Sequence, residues 1–281
     1  MRINWKLPPC FHRKMFRLFV PICILSICFL GMYLETGCFL RTHLESGADI
    51  PTGEIGHWKF DEGSGDTIYD ASGHGLHAIL SGPDGGPKRV NGKFGGALEF
   101  NAKEYANPAQ HVVVHNTPAI DKLISRDKIT VACWISTSDV TLVEQNPIEF
   151  YRSDDNNIHF RRIVLHRSPW KTWRLCLILN HKAQCKNISK GNNYTPDPNT
   201  WYHFVWTING TQHKLYIDNE CKATANLSKP VSSIGNGAGI YFGAVKGGRW
   251  APWNGRIDQI RIYDRILNDA EIATLYNESS D

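Results

Sequence analysis

Arginine and tryptophan gather in two short stretches of this chain, and together they suggest a chemistry of recognition. Between Arg152 and Arg174 stand Arg161, Arg162, Arg167, Trp170, Lys171 and Trp173, opposed only by Asp154 and Asp155. A guanidinium fork matches the paired oxygens of a carboxylate or sulfate, and an indole face stacks on a ring-shaped partner. The second stretch, Gly247-Gly248-Arg249-Trp250-Ala251-Pro252-Trp253, places an arginine and two tryptophans in a loop, where a large side chain has less core to fill. Each stretch also has a plainer reading. Strand alternation would set Arg161 on a solvated face with Ile163 and Leu165 inward, and Trp253 would cover one end of the fold.

Bond-breaking chemistry finds no such foothold. The chain contains no His-Glu-x-x-His, Gly-x-Ser-x-Gly or Cys-x-x-Cys run. It also lacks a Glu-x-Asp-x-x-Glu run, which would line one strand with carboxylates facing a glycosidic bond. Glu144 and Glu149 fall in a loop-like stretch without a third partner. The expectation is a protein that is not an enzyme.

The elements that must carry these residues read as β. Alternating or β-branched runs occupy 55–60, 75–80, 96–100, 111–115, 128–136, 157–167, 173–180, 201–208, 213–218, 239–245 and 256–263, separated by Gly, Pro, Asn and Asp clusters. One segment alone reads as helical. Asn268 and Glu271 have the spacing of a capping box ahead of Ile272, Leu275 and Tyr276. Trp58, Trp134, Trp201 and Trp206 lie on strand patterns and are expected in the core.

The two ends of this β region form a matched pair. The opening end is Gly56-His57-Trp58-Lys59-Phe60-Asp61-Glu62-Gly63-Ser64-Gly65, followed by Tyr69-Asp70-Ala71-Ser72-Gly73-His74-Gly75. The closing end runs Trp253-Asn254-Gly255-Arg256-Ile257-Asp258-Gln259-Ile260-Arg261-Ile262-Tyr263-Asp264-Arg265. Between them stand Ile129–Ile135, with Trp134, and the hairpin Trp201-Tyr202-His203 to Leu215-Tyr216-Ile217-Asp218-Asn219. Over residues 54–277 the pattern resembles the laminin-G-like, concanavalin A-like jelly roll of the lectin-glucanase and pentraxin-like superfamily. Asn219 departs from that pattern, which has Gly there; Asn tolerates the same left-handed turn.

The resemblance implies an all-β, two-sheet antiparallel sandwich with one short C-terminal helix, its first and last strands side by side. It implies recognition of a glycan or glycosylated protein, with Arg249, Trp250, Trp253, Arg161 and Trp170 as candidate ligand contacts. It also implies a structural Ca²⁺ held by Asp70 and Asp258, with Glu62 nearby. A hard cation of this kind takes six to eight oxygens from carboxylates and bare loop carbonyls. The competing reading makes Asp70 a turn cap and Asp258 a hydrogen-bond acceptor. A protein–protein adhesion module without sugar binding is the alternative function, and a lumenal carbohydrate-active enzyme a further one.

The N-terminus sets the compartment. Residues 18–34 carry no charge, and Arg2, Lys6, Arg13, Lys14 and Arg17 precede them, with Glu35 after. Such a run is near the lower length for a membrane-spanning helix, and its basic flank stays cytosolic. The expected order is a cytosolic tail (1–17), a transmembrane signal anchor (18–34), a stalk (35–53), the β domain (54–277) and a short tail (278–281). That is a type II protein of the Golgi or plasma membrane; the alternative is a secreted chain after signal cleavage. The formal net charge of +4 then belongs to the tail and leaves the rest neutral, which argues against a nucleic-acid partner.

Sequons at Asn187, Asn193, Asn209, Asn226 and Asn277 suit the same compartment. So do the cysteines. Cys176 and Cys185 flank a reversal at His181-Lys182-Ala183 and are the expected disulfide, while Cys133 and Cys221 either pair or stay thiols. Cys38 is the candidate for a bridge that makes a disulfide-linked homodimer.

Overall fold

The computed structural model describes residues 49–278 except 103–108, 116, 125, 139–143, 155–156, 167–171, 180–181, 188–195, 227–237 and 245–250; for strand residues 152–187 it describes the backbone alone. Arg249, Trp250, Trp170, Asn193, Cys38 and residues 18–34 therefore lie outside the described residues. Among those described, no helix is long and apolar enough to cross a membrane.

In chain order the strands are β1 (Glu54–Trp58), β2 (Thr67–Ile68), β3 (Ala78–Ser81), β4 (Lys88–Asn91), β5 (Gly96–Phe100), β6 (His111–Val114), β7 (Lys128–Thr137) and β8 (Glu144–Asp154). They continue with β9 (Asn157–His166), β10 (Thr172–Leu179), β11 (Lys182–Asn187), β12 (Tyr202–Asn209), β13 (Gln212–Ile217), β14 (Glu220–Asn226), β15 (Ala238–Phe242) and β16 (Gly255–Tyr263). They form two antiparallel sheets. The first runs β14-β13-β12-β7-β16-β5-β4, with β1 also on β16; the second runs β11-β10-β9-β8-β15-β6-β3-β2.

The opening and closing strands are neighbours, as expected: Trp58 is the register partner of Ile260, and His57 of Arg261. Between the sheets lies one core, built from Trp58, Phe100, Val112, Val114, Ile148, Phe150, Phe204, Trp206, Ile240, Phe242, Trp253 and Ile260 among others. Trp58 anchors it. Its indole N–H donates to the Leu76 carbonyl at 2.8 Å, and its ring meets Phe242 edge-on at 5.2 Å. Gly56 makes room for that indole, since a Cβ there would stand 2.6 Å from it.

The C-terminal helix α2 (Asp269–Tyr276) has the expected capping box. Asn268 accepts from the Glu271 amide, and Glu271 reaches back to the Asn268 amide. Its Ile272 and Leu275 pack with Ala132, Val205, Tyr216 and Tyr263 on the outer face of the first sheet. A second short helix, α1 (Pro118–Ile124), was not foreseen. It places Ile120 and Leu123 in the core, a stripe of two residues too short for a helical period to show.

Of the four tryptophans expected in the core, Trp58, Trp134 and Trp206 are buried. Trp134 is buried on the outer face of the first sheet, against His203 and Tyr276, and Trp201 is only half-buried. Asn219 does take the left-handed conformation, with φ 64°.

Replacing Trp58 with Ala leaves a core cavity and breaks its indole hydrogen bond. The expected cost is about 3–5 kcal/mol, read as a lower urea midpoint; an unchanged midpoint would show that Trp58 is not the anchor of the first and last strands.

Candidate functional site

Pleating divides β6, β15 and β8 cleanly. Val112, Val114, Ile240, Phe242, Ile148 and Phe150 point into the core, so the alternate residues His111, Val113, Gly239, Tyr241, Glu149 and Tyr151 belong to the outer face of the second sheet. The register gathers them. Tyr241 stands between Val113 and Glu149, and Gly239 opposes Tyr151. The Tyr151 and Tyr241 rings meet edge to face at 6.1 Å, and His111 lies 6.1 Å from Tyr241 on its other side.

Gly239 seats the Tyr241 ring. A Cβ at that position would lie 3.3 Å from Tyr241 Cε2 and 3.4 Å from the Val114 carbonyl oxygen. The tyrosines are part-exposed, whereas Glu149 is 1% exposed and His111 is buried.

Burial sets the electrostatics here. It raises the Tyr241 phenol above its ordinary value, and the nearby Glu149 charge and Tyr151 raise it further. Burial likewise lowers His111, whose Nδ1 lies 2.9 Å from the Ala109 carbonyl, so the imidazole is neutral at neutral pH. The face thus offers two part-exposed phenols and their ring surfaces. This set suits a polyhydroxylated ring: hydroxyls pair with the phenols, and aromatic faces cover the apolar side.

Sequence reading missed Tyr151, Tyr241 and His111, and placed Glu149 in a loop. The signal was there in Ile148-Glu149-Phe150-Tyr151 and Ile240-Tyr241-Phe242, where polar or amphipathic residues alternate with core ones. Pro147 and the register shift between Gln145 and Ile148 disguise β8 as a loop.

Of the residues expected to bind a ligand, Trp253 alone is described with its side chain. Trp253 is 1% exposed within the core, and its amide donates to the Gly243 carbonyl; it closes the sandwich rather than presenting a face. Arg161 takes the register position opposite Phe150, and Arg162 that opposite Glu149. Cys176 and Cys185 are direct register partners on β10 and β11. Cys133 and Cys221 do not pair: the first is a buried thiol and the second an exposed one. A separate cavity of about 230 Å³ lies between α1, Ile55 and Leu76, and its walls are mainly aliphatic.

The three carboxylates read as calcium ligands do not fit that ion as they are arranged. Asp70 Oδ1 accepts the amides of His57 and Ser72, and Oδ2 accepts the Ser72 hydroxyl and the Leu76 amide. Glu62 accepts the Tyr69 amide and is ion-paired with Arg89 at 3.1 Å. Asp258 Oδ2 accepts the Phe94 amide at 2.9 Å, and its Oδ1, fully buried, has no partner among the described residues. Among the described residues no group of three or more His, Cys, Asp or Glu side chains is placed to hold a metal.

Comparison with known proteins agrees with this architecture. The concanavalin A-like lectin/glucanases superfamily matches residues 109–273. Domain 4 of an extracellular arabinanase from Geobacillus stearothermophilus, solved with arabinotriose, superposes with a TM-score of 0.58 at 20% identity, covering 80% of this chain and 98% of that one. Trypanosoma rangeli sialidase, solved with 2,3-difluorosialic acid, gives 0.60 at 18% identity, covering 82% of this chain and 34% of that one. A structure of botulinum neurotoxin type C, whose cell entry depends on two ganglioside molecules, gives 0.58 at 15% identity, covering 80% and 51%. The chain thus spans about a third of the sialidase and half of the neurotoxin chain. No curated protein matches it by sequence. At these identities the likeness shows the fold alone.

Asp258 makes stability depend on pH. Burial pushes its carboxyl up to about 7, against the pull of the Phe94, Gln259 and Lys93 amides, and the Asp61 charge adds to the rise. A carboxyl whose folded pKa is raised stabilises the fold fully below its ordinary range, near 4, and that contribution is lost as pH rises through about 7. Buried His57, His111 and His203 act in the opposite sense, since burial lowers each, so the difference between two proteins is the proper readout. Asp258→Asn is expected to gain on the wild type by several degrees in melting temperature between pH 4 and 8. Parallel melting curves across that range would show that Asp258 does not titrate there.

Proposed function

The chain belongs to the concanavalin A-like lectin/glucanases superfamily, and from that premise we propose that it is a recognition module whose second sheet binds a glycan on its outer face, either free or on a glycosylated protein. The observation that carries the reading is the ring cluster of His111, Tyr241 and Tyr151 around the buried carboxylate of Glu149. Part-exposed tyrosines give a ligand rigid contact area and a hydroxyl at its edge. The sugar-bound arabinanase domain and sialidase support this by analogy of fold.

Binding is favoured over hydrolysis because the chain has no run of carboxylates lining one strand. The uncharged run at 18–34 behind its basic flank supports a type II anchor in the Golgi or plasma membrane, with the β domain on the lumenal or extracellular side. Calcium has no part in the proposal.

The second reading is a protein–protein adhesion module, favoured by the same tyrosines, which are also the residues that anchor protein interfaces. A glycan array probed with the full-length chain separates the two. The glycan reading expects a defined set of sugars bound by the wild type, with binding reduced at least about tenfold in Tyr241→Ala and Tyr151→Ala. Retention of binding in both variants would move the site elsewhere, and a blank array would leave only the adhesion reading.

A further inference from the structure

β14 is an edge of the first sheet, and among the described residues nothing pairs with its far side. An open edge carries unpaired N–H and C=O groups and is a template for another chain. The two halves of this edge differ. Glu220, Cys221 and Lys222 form a charged, bulged half, with a close ion pair between Lys222 and Glu220 and a register shift opposite Leu215 and Tyr216. Charges and bulges of this kind discourage pairing. The other half, Ala223-Thr224-Ala225-Asn226, is uncharged and regular, with Thr224 and Asn226 exposed. That half is where the edge lacks protection.

Two acceptor asparagines stand beside it. Asn226 is the register partner of Gln212, and Gln212 of Asn209, so the three form one row across β14, β13 and β12. Direct partners share a face, and Ile208 and Ala225 turn toward the core, so Asn209 and Asn226 both belong to the outer face; both are exposed. Two strand spacings put their backbones about 10 Å apart. Each opens an Asn-x-Ser/Thr sequon, Asn209-Gly210-Thr211 and Asn226-Leu227-Ser228.

We propose that N-glycans on Asn226 and Asn209 close the unprotected half of β14 against a second copy of this chain. A hydrated branched glycan on the edge strand itself, with another two strands in, fills the volume that an incoming antiparallel strand would occupy. The proposal rests on the lumenal or extracellular placement given above.

The test uses the full-length chain, made in a eukaryotic secretory host and purified in detergent with a thiol reductant so that Cys221 cannot cross-link. Peptide mass spectrometry reads occupancy, and sedimentation reads self-association. The wild type is expected to be glycosylated at both sites. Asn209→Gln with Asn226→Gln is expected to self-associate at least about tenfold more strongly, and adding Thr224→Lys, a charge on the bare edge, is expected to restore the wild-type behaviour. Thr211→Ala with Ser228→Ala abolishes the same sequons while keeping both asparagines, and is expected to match the Gln pair. Empty sequons in the wild type would overturn the placement itself. Occupied sequons with no gain in association in either unglycosylated pair, or association that Thr224→Lys fails to reverse, would overturn the edge role and leave the placement standing.

Discussion

β16 has to serve three partners. Along one side it pairs with β7; along the other it pairs first with β5, through Gly255–Ile257, and then with β1, through Ile260–Tyr263. A regular ladder cannot change partner without a step, and the step is the bulge after Asp258, where Gln259 takes φ 49°. A left-handed residue other than glycine costs on the order of 1 kcal/mol. The His57 ring, 3.0 Å from the Gln259 amide oxygen, holds it in place. Because of this step, strands some two hundred residues apart lie side by side, Trp58 enters the core opposite Ile260, and Asp258 is buried where the partners change. The closed sandwich, and any site on its faces, depends on that junction.

The sequence made the interior of the sandwich legible and its margins illegible. Every alternating run it showed became a strand, and the helix at 269–276 appeared with its predicted cap. The strands it did not show are β2, β4, β11 and β14, which are the four sheet edges, together with β8. This has a physical cause. Period-two alternation is written by a buried face and a solvated face, and an edge strand such as Lys182-Ala-Gln-Cys-Lys-Asn187 or Glu220-Cys-Lys-Ala-Thr-Ala-Asn226 buries too little to show one. β8 lies in the middle of its sheet and was hidden differently, by Pro147 and a bulge.

The candidate site was less legible than the fold, for a related reason. Alternation shows that Glu149 and Tyr151 share a face, but not that Tyr241 and His111 complete it, because those come from strands ninety residues later and forty earlier. Only register joins them. Arginine and tryptophan in loops drew the eye as chemistry, yet Trp253 is core. The carboxylates of the matched ends are spent on the backbone: Asp70 ties β1 to the Ser72–Leu76 turn, and Asp258 ties β16 to the Phe94 turn.

What separates the two sheets is the fate of their outer faces. The first sheet covers much of its own. α2 packs on Ala132, Val205 and Tyr216, while Trp134, His203 and Tyr276 form a stack over which the Lys93 ammonium lies 4.4 Å from the indole. The chain end is fixed beside it by a bidentate Arg261–Glu278 pair at 2.5 and 2.6 Å. Burial and the Arg261 charge push His203 down to about 3, so the imidazole stays neutral and acts as an aromatic plate in that stack. These contacts are internal. The second sheet meets the short α1 at β15, and its outer face keeps two part-exposed phenols beside a buried acid. In a sandwich whose core is complete between the sheets, part-exposed phenols contribute little to packing, and that is why the proposed site is built on them.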